Sequence, residues 1–187
     1  MVTSYPARKS TGTRSRDVQD PLYKEAEERV YRWLQEQGYS VSDERKAKTF
    51  YDFRIGSKTP AIFALDVKCD QYAATTGRVA WELFVEVGKN IREGWGRDER
   101  LDYVAFVIPH EWRVVMVDTD CVRALIAKQE QGFNLPREGE LVAFRKEGQD
   151  GRTAHGVALA LEYLRRHGCI KREESLDGTA EAAADSG

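Results

Sequence analysis

The sequence predicts a mixed α/β domain, a central β-sheet of about four to five strands flanked by helices. Two observations carry that expectation. Apolar positions recur at helical spacing in an early segment, and several β-branched, alternating runs follow it before helical patterning returns. The chain has 187 residues, of which 41% are hydrophobic and 32% charged, enough for one domain with a buried core.

Asp20-Pro21 is a helix-start signal, because Asp can cap and Pro fits the first helical position. Tyr23, Ala26, Val30, Trp33, Leu34 and Gln37 then fall on one side, and Gly38 closes the helix. Tyr39–Val41 reads as a short strand, followed by the basic cluster Arg45, Lys46 and Lys48. Thr49–Ile55 and Ala61–Lys68 flank a Gly-Ser-Lys-Thr-Pro turn and read as a hairpin. Residues 78–87 alternate as a third strand. Leu101–Ile108 and Trp112–Val117 are two more, separated by Pro109-His110-Glu111. Asp118 caps a helix running to about Gln131, Leu141–Phe144 reads as a short strand, and Val157–His167 reads as a last helix ended by Gly168.

The ends differ from the body. Residues 1–19 form a flexible basic arm, with Arg8, Lys9, Arg14 and Arg16 against Asp17. Residues 171–187 carry five carboxylates among small residues and read as a disordered acidic tail. The domain is thus expected over 20–170. No apolar run approaches the ~18 residues of a membrane-spanning helix, and no signal-peptide pattern opens the chain. Cys69, Cys121 and Cys169 are widely spaced, with no CxxC, which argues against a disulfide scaffold and for a reducing, cytoplasmic setting.

Strand parity points to chemistry. Successive side chains of a strand face opposite ways. Tyr51, Phe53 and Ile55 therefore share one face and Asp52 and Arg54 the other; Phe63, Leu65 and Val67 oppose Asp66 and Lys68. In the third strand Val79, Trp81, Leu83, Val85 and Val87 leave Glu82 opposite. If these strands are neighbours, Asp52, Asp66, Lys68 and Glu82 converge on one side of the sheet. Clustered carboxylates repel, and a hard cation such as Mg²⁺ relieves the repulsion through oxygen ligands. A lysine on the same face stands beside the ion, where it can hold or help deprotonate an attacking water. That constellation suits phosphodiester hydrolysis. The net charge of −2 does not oppose this, since the acidic tail and the site itself hold most of the excess carboxylates.

Asp52 followed by Asp66-Val67-Lys68 resembles the PD-(D/E)xK nuclease superfamily, whose restriction-endonuclease-like core carries this motif on a central hairpin. Glu27 is similar to the acidic residue on the first helix of Holliday-junction-resolvase-like members. Lys68-Cys69-Asp70, Thr76-Gly77-Arg78, Trp81-Glu82, Gly94-Trp95 and Asp102-Tyr103 resemble, in order, the motifs of a phage and bacterial branch. The resemblance spans about residues 22–117. It departs at Tyr51, which stands where the family name has Pro, and at Arg78, where Asn is usual.

The resemblance implies a metal-dependent DNA endonuclease. Asp52 and Asp66 would ligate Mg²⁺ or Mn²⁺, with the Val67 carbonyl as a further ligand. Lys68 would orient the nucleophilic water and stabilise charge on the phosphate. Glu27 and Glu82 would be outer carboxylates or ligands of a second metal. Arg45, Lys46, Lys48, Arg78 and Arg92 are candidates for phosphate contacts. Lys89, Arg97 and Arg100 are others, and Tyr72 and Trp95 are candidates for stacking, with Trp95 expected to be the exposed one. By the same analogy a homodimer would cut both strands, in a bacterial or phage-infected cell. The alternative is a catalytically inactive nucleic-acid- or protein-binding module on the same fold.

Overall fold

A computed structural model describes residues 21–47, 49, 51–56, 61–130, 140–148 and 151–177. The basic arm, the Asp20 cap, Lys48, turn residues 57–60 and residues 178–187 lie outside the described residues.

The first helix, α1, spans Pro21–Glu36 and buries Ala26, Glu27, Val30, Trp33 and Leu34. Gly38 stops it, with a φ of 79° that a side chain at Cβ would disfavour. Three strands follow: β1 (Ser40–Asp43), β2 (Phe53–Gly56) and β3 (Ile62–Cys69). After them come the short helix α2 (Ala73–Thr76), β4 (Arg78–Val87), β5 (Asn90–Glu93) and a 3-10 turn at Trp95–Arg97. β6 (Tyr103–Ile108), β7 (Arg113–Asp118) and α3 (Thr119–Glu130) come next. The described part ends with β8 (Leu141–Glu147), β9 (Arg152–Ala160), α4 (Leu161–Arg166) and β10 (Ile170–Ser175).

The mixed α/β class holds, with a larger strand inventory than expected. A six-stranded sheet has the order β1-β2-β3-β6-β7-β10. Its β3–β6 pair is parallel and its other pairs antiparallel. A second, four-stranded antiparallel sheet has the order β5-β4-β9-β8. The β4–β5 hairpin of this second sheet is inserted in the crossover that joins the parallel pair.

Alternation along β6 and β7 builds a core on each face of the central sheet. Ala105, Val107, Val114 and Met116 pack with Leu65, Val67 and the apolar stripe of α1. Val104, Phe106, Val115 and Val117 pack with Val79 and Trp81 of β4, Leu159 of β9, and residues of α3 and α4.

Three expectations change. Val157–His167 is not one helix: residues 157–160 complete β9, which pairs along the whole of β4, and only 161–166 are helical. Pairing with an open strand edge overrides the helical look of an Ala- and Leu-rich segment. Residues 171–176 are not part of a disordered tail, because β10 pairs with β7 and Leu176 is fully buried. The cysteines are not all thiols: Cys121 and Cys169 form a disulfide, and Cys69 lies outside it. The start of α3 and the end of α4 meet there, and the Asp118 amide donates to the Cys169 carbonyl at 2.9 Å. The Asp118 carboxylate also caps α3, accepting from the Cys121 amide at 2.9 Å. Among the described residues, no helix is long and apolar enough to cross a membrane.

Candidate functional site

The site forms where β2 begins beside β3. Phe53 pairs with Leu65, which places Asp52 opposite Asp66 just before the strand is established. The Asp52 amide donates to the Leu65 carbonyl at 3.0 Å, and its carboxylate Oδ2 accepts from the Val67 amide at 2.9 Å. The side chain of Asp52 thus takes the place of a strand carbonyl, which fixes the carboxylate and satisfies a buried donor.

Asp52 and Asp66 are each only 6% exposed. Lys68, two residues on along β3, places Nζ 2.6 Å from Asp66 Oδ2. Burial and the neighbouring Asp52 push the Asp66 carboxyl up to about 8, although Lys68 pulls the other way. Burial works against the Lys68 ammonium, but Asp66, Tyr23 and Asp52 outweigh it and raise the lysine above its ordinary value. Lys68 is therefore a persistent cation.

Two residues behind the pair come from α1. The Tyr23 hydroxyl donates to the Val67 carbonyl, and burial, with Asp66, Asp52 and Glu27 nearby, holds the phenol well above its ordinary pKa. Glu27 is 5% exposed and lies 3.9 Å from the Arg45 guanidinium. In the sequence Tyr23 is one member of an apolar stripe, and its position one turn before Glu27 is the signal there.

Glu82 reaches the site from another direction. It belongs to the second sheet, so β2, β3 and β4 are not neighbours in one sheet as the parity argument supposed. A register shift between Glu82 and Phe84 reorients β4 there. Glu82 accepts from the Trp95 amide at 3.3 Å. Burial raises its carboxyl, while the Trp95 amide and the charges of Lys68, Arg152 and Arg92 act in the opposite sense.

Trp95 is not the exposed aromatic. It packs against Trp81 at 4.9 Å and Phe106 at 6.2 Å between ring centroids, and Lys68 Nζ stands 5.2 Å from its ring. Tyr72, 71% exposed, is the open one. Arg45 is engaged in the fold: it holds Asp43 at 2.6 Å and Glu28 at 3.4 Å, and its guanidinium lies 5.1 Å from the Phe53 ring. Arg78 donates to the Thr76 carbonyl at 3.4 Å beside α2. Lys46 is exposed, and Arg92 sits half-buried on β5.

Among the described residues, no group of three or more His, Cys, Asp or Glu side chains is arranged to hold a metal ion. The arrangement is a carboxylate pair, Asp52 and Asp66, with the carbonyl of Val67, the residue after Asp66. Two carboxylates and a carbonyl are hard oxygen donors of the kind Mg²⁺ uses alongside water and substrate phosphate. Burial first, and the Asp52 charge after it, raise the Asp66 carboxyl, and a bound cation would offset both. The donor set therefore fits a divalent ion.

No family model matches the chain, and no curated protein matches it. Among solved structures, the chain is similar to a bacterial homing endonuclease, I-Ssp6803I, at 14% identity over 52% of this chain and 67% of that one, with a TM-score of 0.44.

Proposed function

We propose that the chain is a metal-dependent endonuclease that hydrolyses phosphodiester bonds in DNA, as a PD-(D/E)xK-type enzyme. The observation that supports this reading best is the buried Asp52–Asp66 pair with Lys68 held 2.6 Å from Asp66. Asp52 and Asp66 would hold Mg²⁺ or Mn²⁺, aided by the Val67 carbonyl. When bound, such an ion supplies Lewis-acid polarisation of a phosphoryl oxygen.

The chain's own residues do the rest. Lys68 acts as a cation: it donates hydrogen bonds to the attacking water and to the phosphate oxygens on which charge develops. Its raised pKa makes it a poor proton acceptor at neutral pH. Trp95 and Asp66 hold its ammonium in place, and Glu82 is a second carboxylate that feels its charge. Tyr23 supports the Val67 segment through its hydrogen bond to the Val67 carbonyl, and Glu27 stands beside Arg45 at the edge of the site. Water adds across one P–O ester bond and leaves a phosphomonoester and a hydroxyl. A homodimer would offer one such site to each strand of a duplex, and a light-scattering mass of a single chain on DNA-free protein would remove that part of the reading.

Purified protein incubated with supercoiled, linear and branched DNA plus Mg²⁺ or Mn²⁺ tests the proposal. Metal-dependent cleavage should fall at least 100-fold in Lys68→Ala. Binding of DNA by the wild type with no cleavage under either metal would overturn it in favour of a binding module.

A further inference from the structure

The four-stranded sheet extends well beyond what the fold needs. Neither core includes any residue from 84–93, 142–148 or 151–156. These residues are the distal halves of the β4–β5 and β8–β9 hairpins, joined side by side along β4 and β9.

The register sorts their charges by face. Arg92 pairs with Val85, Val85 with Ala154, and Ala154 with Lys146, so these four form one row across the sheet. Arg152 lies two residues from Ala154 on the same strand and shares its face. Among the described residues, the only carboxylate on this face is Glu82, opposite Gly156 at its base. The opposite face carries Glu86, Glu93 and Glu147 with Arg145 and His155 among them. There Arg145 lies 3.3 Å from Glu147, and His155 lies 3.3 Å from Glu86.

We infer that the face bearing Arg92, Lys146 and Arg152 is a docking surface for duplex DNA, which feeds the phosphodiester backbone to the Asp52–Asp66–Lys68 site. The inference rests on the proposed hydrolytic reading. Three features favour this occupant. The cations are segregated, which matches a polyanion. Glu82 shares this face through its pairing with Gly156 and feels the charges of Lys68, Arg152 and Arg92 alike, so the basic face adjoins the catalytic group. The row also places Lys146 and Arg92 on the outer strands with small apolar Ala154 and Val85 between them. Three strand spacings separate the two cations, about 14 Å, close to the roughly 12 Å width of the B-DNA major groove. A sheet face lying across the mouth of the groove would set one cation near each bordering phosphate row. The narrow major groove of duplex RNA does not offer phosphate rows at that spacing.

The test uses a fluorescently labelled 30-base-pair DNA duplex and the full chain, with affinity measured over a salt series in Ca²⁺, and plasmid nicking measured separately in Mg²⁺. Arg92→Gln, Lys146→Gln and Arg152→Gln combined should weaken binding at least tenfold, and should reduce the slope of log affinity against log salt by about 2 to 3. The opposite-face combination Glu86→Gln and Arg145→Gln should leave both readouts unchanged. Wild-type affinity and slope in the triple variant would overturn the inference, as would tighter binding of an RNA duplex of the same sequence. If the triple variant does not fold, as judged by its melting curve, exposed Lys146→Gln alone must still lower the slope by about one; an unchanged slope overturns the inference. The two readings separate cleanly. Nicking that is lost in Lys68→Ala but unaffected by the ribbon changes defeats the docking surface alone. Ribbon-dependent binding without nicking defeats the hydrolase alone and supports the docking surface.

Discussion

The hydroxyl of Tyr23, in the first turn of α1, donates to the main-chain carbonyl of Val67, the residue between Asp66 and Lys68. The Val67 amide on the same residue donates to Asp52. Both polar groups of one peptide position are thus engaged by residues of the site, and the orientation of Asp66 and Lys68 depends on elements 44 residues apart in sequence. A helix docks on the sheet by its apolar stripe, but this hydrogen bond fixes where its first turn lies over β3.

Tyr23→Phe removes the donor and keeps the ring. The Val67 carbonyl then loses a hydrogen bond in a largely buried setting, and the chain should lose about 1 kcal/mol of stability. Urea denaturation of the two proteins measures this directly. An unchanged midpoint would show that water replaces the hydroxyl at no cost.

Asp66→Asn should abolish DNA cleavage and, in chelator, flatten the pH dependence of stability. The sign follows from linkage. The folded Asp66 carboxyl is raised to about 8, against about 3.9 in an unfolded chain. Between those values the folded state binds the extra proton, so wild-type stability falls as pH rises through that window. Asn carries no such proton, so melting curves from pH 5 to 9 should show a smaller decline for the variant and an equal or higher melting temperature at pH 8. A clearly lower melting temperature at pH 8 would mean that the Asp66–Lys68 ion pair outweighs the cost of burying two carboxylates.

The sequence made the centre of the site legible and its surroundings less so. Asp52, Asp66 and Lys68 stood out because charged residues interrupt apolar runs at strand parity, a rule that acts within a few residues. Glu82 was legible as a carboxylate on a strand, but its membership of a second sheet depends on long-range pairing with β9, which parity cannot see. Tyr23 hid among apolar residues because an aromatic stripe member looks the same whether or not its hydroxyl has a target. β10 was hidden by its charge. Its carboxylates find partners across the fold, Glu173 with Arg113 and with Arg165 at 2.6 Å, and Glu174 with the Trp33 indole at 2.9 Å. Arg113 and Trp33 lie far away in sequence, and Arg165 comes within reach only through the turn after α4, so the segment reads as solvated.

The disulfide gives a chemical count. Denatured, unreduced chain should titrate one thiol, from Cys69, and reduced chain three. The bridge closes a separation of 48 residues, which in the chain-entropy picture stabilises by up to about 4 kcal/mol. Adding reductant should therefore lower the melting temperature, and the double variant Cys121→Ser, Cys169→Ser should melt low without responding to reductant. Three thiols in the unreduced chain would show that the bridge does not form in solution.

Gly156→Ala tests how tightly the second sheet is joined at the site. A methyl group there would meet the Trp81 carbonyl oxygen at 2.1 Å and the Phe144 ring at 2.9 Å. The ring can turn away, but the carbonyl belongs to β4 and can move only with the strand. Trp81 is fully buried and its indole donates to the Gly96 carbonyl at 3.1 Å, so moving it disturbs the core beneath Trp95. The expected cost is about 2 kcal/mol, in the range for overpacking, or a melting temperature lower by roughly 5 °C. Glu82 follows Trp81 directly, so the displaced strand should also carry its carboxylate away from the Trp95 amide and Lys68. Cleavage by the folded variant, measured well below its melting temperature, should fall with it. A variant that loses stability and keeps full cleavage would show that Glu82 is not needed at the site.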